Sequence, residues 1–266
     1  MNSLDSEILA LMRRVSKTAI LPRYQRLSPG DIDEKGINDF VTIADRESEQ
    51  MLAEALSRLE PSLAVVGEEA AHEDPAILDA LQGPCWIIDP IDGTRNFASG
   101  SPPFGIMIAR AEGGLARSGW IYDCLTERFC SAHLNEGAYI DGSRITAMPT
   151  GQTKPIAAIS LVFARAERRK LLQEEIAPHY QLVDIPYCAA EQYPRLALGT
   201  NDVSVFERTL AWDHAAGVLW LNEASGKALR PDGSAYLVSE TGRTGLLAAS
   251  NERLWEQLAS RLQESP

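Results

Sequence analysis

Two carboxylates three positions apart, Asp89 and Asp92, stand in the run Trp86-Ile87-Ile88-Asp89-Pro90-Ile91-Asp92-Gly93-Thr94-Arg95-Asn96-Phe97. The apolar Trp86–Ile88 reads as a short strand that delivers Asp89 to its exposed end. Pro90 then ends the paired ladder, and a turn brings Asp92 to the same point. Gly93 and Thr94 follow with backbone N–H groups that suit an anion where a helix begins. Carboxylates beside phosphate-binding N–H groups make the layout of a Mg²⁺-assisted phosphoryl site, since Mg²⁺ takes a few carboxylates, water and substrate oxygens. The other reading of Asp-Pro-Ile-Asp-Gly is a plain turn.

Two further runs carry acids in comparable places. Val65-Val66-Gly67-Glu68-Glu69 sets carboxylates just after a short apolar strand, and Ala211-Trp212-Asp213-His214-Ala215-Ala216-Gly217 sets Asp213 at the start of an apolar helix. A solvated strand end and a helix N-cap are the bland alternatives for these two. Together the three runs supply a two-metal centre, with Asp89 as the bridging carboxylate.

The elements that must position these residues change character along the chain. Leu4, Ile8, Leu11, Met12, Val15 and Ala19 predict an amphipathic helix ending near Pro22, with Ser3 as cap. Ser28–Asp39 reads as an exposed, mobile loop, and Thr42–Leu59 as a helix. Ile106–Ala109, Ala116–Tyr122, Arg128–Ala132 and Gly137–Ile140 predict an antiparallel meander. Beyond about Thr150 strands and helices alternate: strands at Ala157–Val162, Gln181–Ile185, Val203–Phe206 and Leu246–Ala249, and helices at Ala166–Ile176, Ala189–Leu198, Trp212–Glu223 and Arg253–Leu262. This divides the chain into an α+β part, residues 1–145, carrying an antiparallel sheet and most metal ligands, and an α/β part, 146–266, carrying Asp213 and the specificity region.

Composition narrows the partners. The 266 residues are 45% hydrophobic, with 25 Lys+Arg against 37 Asp+Glu for a net charge of −12, which disfavours a nucleic-acid polymer. Met1–Lys17 lacks the apolar core of a secretory signal, and no run approaches the roughly 18 apolar residues of a membrane span. Cys85, Cys124, Cys130 and Cys188 form no C-x-x-C pair and His72, His133, His179 and His214 are scattered, which excludes a recognisable zinc motif and reads as reduced thiols in the cytoplasm. No P-loop and no G-x-S-x-G elbow occur. The three-residue spacing of Asp89 and Asp92, with Pro90 between, argues against an aspartyl-phosphate mechanism.

Four blocks in order, Asp39-Phe40-Val41-Thr42-Ile43-Ala44-Asp45, Gly67-Glu68-Glu69, Asp89 through Phe97, and Trp212 through Gly217, resemble the inositol monophosphatase family of Mg²⁺-dependent, lithium-sensitive phosphatases. The resemblance runs over nearly the whole chain. It implies a layered α-β-α-β-α sandwich of the inositol monophosphatase/fructose-1,6-bisphosphatase type, a homodimer, and hydrolysis by metal-activated water without a covalent enzyme intermediate. Glu68, Asp89 and the Ile91 carbonyl would hold one Mg²⁺, and Asp89, Asp92 and Asp213 a second. Glu68 and water would hold a weaker third. Gly93 and Thr94 would cradle phosphate, with Asp45, Thr94 and Glu68 as the catalytic set. Lys35 matches a family lysine near the site. Asp45 has a second reading, as a first-turn acid that complements the helix dipole.

The shared blocks fix metal and phosphate rather than the alcohol. The substrate is a small phosphorylated metabolite, inositol-phosphate-like, with histidinol phosphate, fructose 1,6-bisphosphate and 3′-phosphoadenosine 5′-phosphate as alternatives. A pseudoenzyme binding a sugar phosphate is the non-catalytic alternative. Glu207 and Cys188 are candidate substrate contacts, although Glu207 is one residue out of the family's register and serves equally as a surface acid. Tyr187-Cys188 stands where the family has Gly-Ser, which counts against myo-inositol phosphate, and Ala70 replaces a common hydroxyl residue. Arg95 either meets a second anionic group or is a solvated helix residue.

Overall fold

The computed structural model describes residues 2–36 and 39–264, with the side chains of Asp39 and Glu264 left out. Helix α1 (Ser3–Val15) is capped by Asn2 and not by Ser3: the Asn2 side chain accepts from the Asp5 N–H, and Asp5 answers on the Asn2 N–H. The helix continues as a π-helical turn over Ser16–Ile20. Residues 28–39, expected as a loop, contain β1 (Ile32–Gly36), which pairs antiparallel with β2 (Asp39–Thr42). Ile37 and Asn38 of that expected loop lie outside the described residues. β1 is largely solvent-facing, so it shows none of the apolar alternation by which a strand is recognised.

α2 (Ile43–Leu59) leads to β3 (Ala64–Gly67), α3 (Glu68–Glu73) and a 3₁₀ segment, Pro75–Gln82. β4 (Cys85–Asp92) is followed by α4 (Thr94–Ala98), and then by the meander of β5 (Gly105–Glu112), β6 (Leu115–Asp123), β7 (Phe129–His133), β8 (Gly137–Ile140) and β9 (Ser143–Ile145). β3 to β9 form one seven-stranded sheet in sequence order, parallel only between β3 and β4.

The remaining strands are β10 (Ile156–Ile159), β11 (Gln181–Leu182), β12 (Val203–Phe206), β13 (Lys227–Leu229) and β14 (Leu246–Ala249), in the order β11-β10-β12-β14-β13. Between them run α5 (Ala166–Leu171), extended by a π-helical turn over Leu172–Ile176, α6 (Ala189–Ala197) and α7 (Ala211–Glu223); α8 (Glu252–Glu264) closes the chain. β11 is shorter than the expected Gln181–Ile185, being an edge strand with Leu182 and Val183 exposed. β13 carries three residues, too few for a periodic signal.

Packing gives the expected five layers. Ile8, Met12, Leu52 and Leu56 of α1 and α2 meet Trp86, Ile88, Ile106 and Trp120 on one face of the large sheet. Leu196, Ala215, Ala216 and Trp220 of α6 and α7 meet Ile87, Met107, Ala109 and Ile121 on its other face, and Ala228 and Ala248 of the small sheet join the same cluster. Leu172, Ile176, Trp255 and Leu258 cover the far face of the small sheet through Ala157, Val203 and Leu247. The fold is an α-β-α-β-α sandwich. The four cysteines are buried and unbridged, and among the described residues no helix is long and apolar enough to cross a membrane.

β4 is buried along its whole length because helices cover both faces of the sheet. Side chains alternate along it, with Trp86 and Ile88 facing α1 and α2, and Cys85 and Ile87 facing α6 and α7. Asp89 shares the parity of Ile87, so its carboxylate emerges on the α7 side. Pro90 does not end the strand. Asp89 pairs with Met107 and Asp92 with Gly105, so β4 carries one extra residue there, and the missing N–H of Pro90 falls within the bulge.

Candidate active site

Three strand–helix junctions converge. β3 ends at Gly67 and α3 begins with Glu68, β4 ends with Asp89 and Asp92, and α7 carries Asp213 as its third residue. Asp213 is not the helix cap: Leu210 occupies that position, with no side-chain cap bond. One oxygen from each of Glu68, Asp89 and Asp213 can be chosen so that all lie within 4.8 Å of one another. A purely oxygen donor set of this kind suits a hard divalent cation.

The electrostatics point the same way. Burial pushes the Glu68 carboxyl up to about 8; Lys35 opposes the shift, while Asp213 and Glu69 add to it. Asp89 is pushed well above the carboxylate range by burial, and then by the charges of Glu68, Asp92, Asp213 and Asp45. Clustered buried like charges are unfavourable on their own, and a bound cation reverses that sign. The residues therefore fit a hard divalent cation.

Lys35 lies on β1, not in a loop, and its Nζ donates to Glu68 Oε1 at 2.9 Å and Glu69 Oε1 at 3.0 Å. Thr94 Oγ1 stands 3.1 Å from Asp45 Oδ1 and 2.9 Å from the Ile91 carbonyl, so its single proton goes to one of them at a time. The two oxygens of Asp45 make separate contacts. Oδ2 accepts from the Thr42 N–H and hydroxyl in the capping box of α2, and Oδ1 faces Thr94. Gly93 caps α4 at φ +87°, and a Cβ there would come within 2.9 Å of the Pro103 carbonyl. Glycine is required at this turn, which presents the open N–H groups of the first helical turn.

Asp92 lines the same cleft but is not among the three clustered acids. Its Oδ2 accepts from the Ala190 N–H at 2.6 Å and from the Cys188 thiol at 3.0 Å, tying β4 to the start of α6. Burial, and then Asp92, raises the Cys188 thiol well above its ordinary value, so it stays a donor. Glu207 also lines the cleft, with Oε1 held by Arg168 Nε at 3.0 Å. His214, pushed down to about 3 by burial, is neutral; its Nε2 donates to the Arg208 carbonyl while Nδ1 accepts from the Tyr193 hydroxyl, fixing α7 to α6.

Sequence reasoning missed Glu49. Its carboxylate accepts from the Glu69 N–H at 2.7 Å and the Ala70 N–H at 2.8 Å, capping α3 and so holding Glu68 in place. A Cβ on Gly67 would come within 2.5 Å of that carboxylate, so Gly67 makes room for it. The available signal was an acid on the buried face of α2, in register with Asp45, Leu52 and Leu56. Glu49→Gln leaves one buried N–H facing a second donor and is expected to lower stability by about 1–3 kcal/mol. It should also weaken Mg²⁺ binding. Urea unfolding and a Mg²⁺ titration of the variant check both effects, and unchanged values would remove the capping role.

The inositol monophosphatase family model matches residues 5–266. The chain is 31% identical over 207 residues to the inositol-1-monophosphatase of Bacillus subtilis, covering 76% of this chain and 77% of the relative. It is 28% identical over 257 residues to Nus factor SuhB of Haemophilus influenzae, covering 94% and 92%. In fold it is similar to the extragenic suppressor protein SuhB of Bartonella henselae (TM-score 0.81, 22% identity, 99% of each chain) and to an IMPase of Thermotoga maritima (0.79, 24%, 99% of each). The chain belongs to the inositol monophosphatase family and is a phosphoric monoester hydrolase.

Proposed function

We propose that the protein is a Mg²⁺-dependent phosphomonoesterase that hydrolyses a small phosphorylated metabolite by direct attack of water. The observation that carries this reading is the convergence of Glu68, Asp89 and Asp213 within 4.8 Å at one end of β4, beside the turn at Gly93 and Thr94. Glu68, Asp89, the Ile91 carbonyl, Asp92 and Asp213 would hold two ions, and Glu68 with water a third. Bound Mg²⁺ supplies positive charge that lowers the pKa of water and stabilises the leaving alkoxide.

The chain's own groups do the rest. The N–H groups of Gly93 and Thr94 hold phosphate oxygens at the start of α4. When Asp45 is ionised, the Thr94 proton goes to Asp45 Oδ1, and the hydroxyl oxygen is then free to accept a proton from the attacking water. The Ile91 N–H on Asp89 Oδ1, at 3.0 Å, fixes the Asp89 carboxylate in the bulge. Lys35 keeps positive charge beside Glu68 and Glu69.

Family membership supports extending the reading to inhibition by Li⁺, a homodimer and a cytoplasmic setting. The test is phosphate release from a panel of sugar, polyol, nucleotide and amino-alcohol phosphates, each with Mg²⁺ and with a chelator. We expect release that requires Mg²⁺ from at least one of them. No release from any would refute the assignment.

A further inference from the structure

Beyond the acids, the wall of the cleft turns apolar, through Val162, Phe163, Ile185, Pro186, Tyr187 and Phe206. Two of these are large side chains left open to solvent, Phe163 at 41% and Tyr187 at 46% exposed. Each has a guanidinium over its ring: Arg208 Cζ lies 4.1 Å from the Phe163 centroid and Arg95 Cζ 4.9 Å from that of Tyr187.

Tyr187 is also held where a bulky residue is strained, at φ +53°. The Asn96 side-chain amide clamps the segment before it, donating to the Pro186 and Pro103 carbonyls at 2.8 Å each. The fold therefore bears a local strain that projects an aromatic ring into the mouth of the active site. Glycine would relieve that strain.

Of the polar side chains expected to meet substrate hydroxyls, Glu207 accepts from Arg168 through Oε1 and Cys188 donates to Asp92. A flat ring entering here meets the exposed aromatic side chains of Tyr187 and Phe163, each with a guanidinium over its ring.

We infer that the cleft takes a phosphomonoester whose alcohol bears a flat aromatic or heteroaromatic ring, seated against Tyr187 and Phe163. This rests on the phosphatase reading above and narrows its substrate class.

The test compares kcat/KM for 2-phenylethyl phosphate and 2-cyclohexylethyl phosphate, whose leaving alcohols are similar in size and basicity. The wild type should favour the phenyl ester about threefold to tenfold. Tyr187→Gly, which suits the positive φ, should bring the ratio close to one, and Phe163→Ala should move it the same way. A wild-type ratio of one, or a ratio unchanged in both variants, overturns the aromatic subsite and leaves the phosphatase reading standing. Absence of Mg²⁺-dependent release from either ester and from the panel above overturns both.

Discussion

Asp89→Asn is expected to lower kcat/KM by about 10³-fold or more while raising the melting temperature of the cation-free protein. The loss follows from removing one carboxylate of the cation cluster, because metal stabilisation of the transition state is worth several kcal/mol and each 1.36 kcal/mol is tenfold in rate. The gain follows from the same cluster without its ion. The Asp89 carboxyl is held well above its ordinary 3.8 by burial and by the charges of Glu68, Asp92, Asp213 and Asp45. A raised folded-state value means that this carboxyl costs the fold nothing below about pH 4, its ordinary value, and costs it stability increasingly as pH climbs from there. Asparagine carries no such burden. In a chelator, variant and wild type should therefore melt together near pH 4 and separate toward pH 8, with the variant higher. Excess Mg²⁺ should reverse the order, because ligand binding stabilises only the protein that binds it. Melting curves at both pH values, with chelator and with Mg²⁺, check the reversal; a variant less stable than wild type in chelator at pH 8 would contradict it.

Asp45→Asn is expected to lower kcat by about 10²–10⁴-fold, the range for loss of a positioned general base. Burial pushes the Asp45 carboxyl up to about 7; hydrogen bonds from Thr42 oppose the shift and the charge of Glu69 adds to it. Below that value the carboxyl is protonated and cannot accept the Thr94 proton. Wild-type kcat should therefore rise between about pH 6 and pH 8, and the variant should lack this limb. Asp45 also closes the capping box of α2, so the variant should lose about 1 kcal/mol of stability. The pH profile separates the two roles, since a weakened cap does not remove an acid limb. Thr94→Ser, which keeps the hydroxyl, should retain the limb, and Thr94→Ala should not.

The catalytic blocks are legible because their chemistry is contiguous in the chain. Asp89, Asp92, Gly93 and Thr94 fall within six residues, and the apolar run before them fixes which face of β4 Asp89 leaves from. Long amphipathic elements such as α1, α2 and α8 are legible for the same local reason. What escapes is set by tertiary packing. Pro90 reads as a strand end until the β5 partner shows a bulge, and Asp213 reads as a cap until Leu210 takes that place. The β1–β2 hairpin has too little buried surface to leave a pattern. Glu49 acts through N–H groups twenty residues away, and the positive φ of Tyr187 is fixed by Asn96, ninety residues from Pro186. Neither link is visible in a linear reading.

Asp92 and Cys188 show how the two ends of the chain share one site. The carboxylate ends β4, while the thiol and the Ala190 N–H that hold it belong to the segment opening α6. The cleft wall at Tyr187-Cys188 is thus tied by hydrogen bonds to the strand that carries the acids.

We propose that Glu68, Asp89 and Asp213 hold the cation that drives hydrolysis. Anomalous diffraction from crystals soaked in Mn²⁺ tests it directly. A strong peak is expected within coordination distance of all three carboxylates in the wild type, and its loss in Asp89→Asn. A wild-type enzyme that turns over with Mn²⁺ yet shows no peak at that cluster would contradict it.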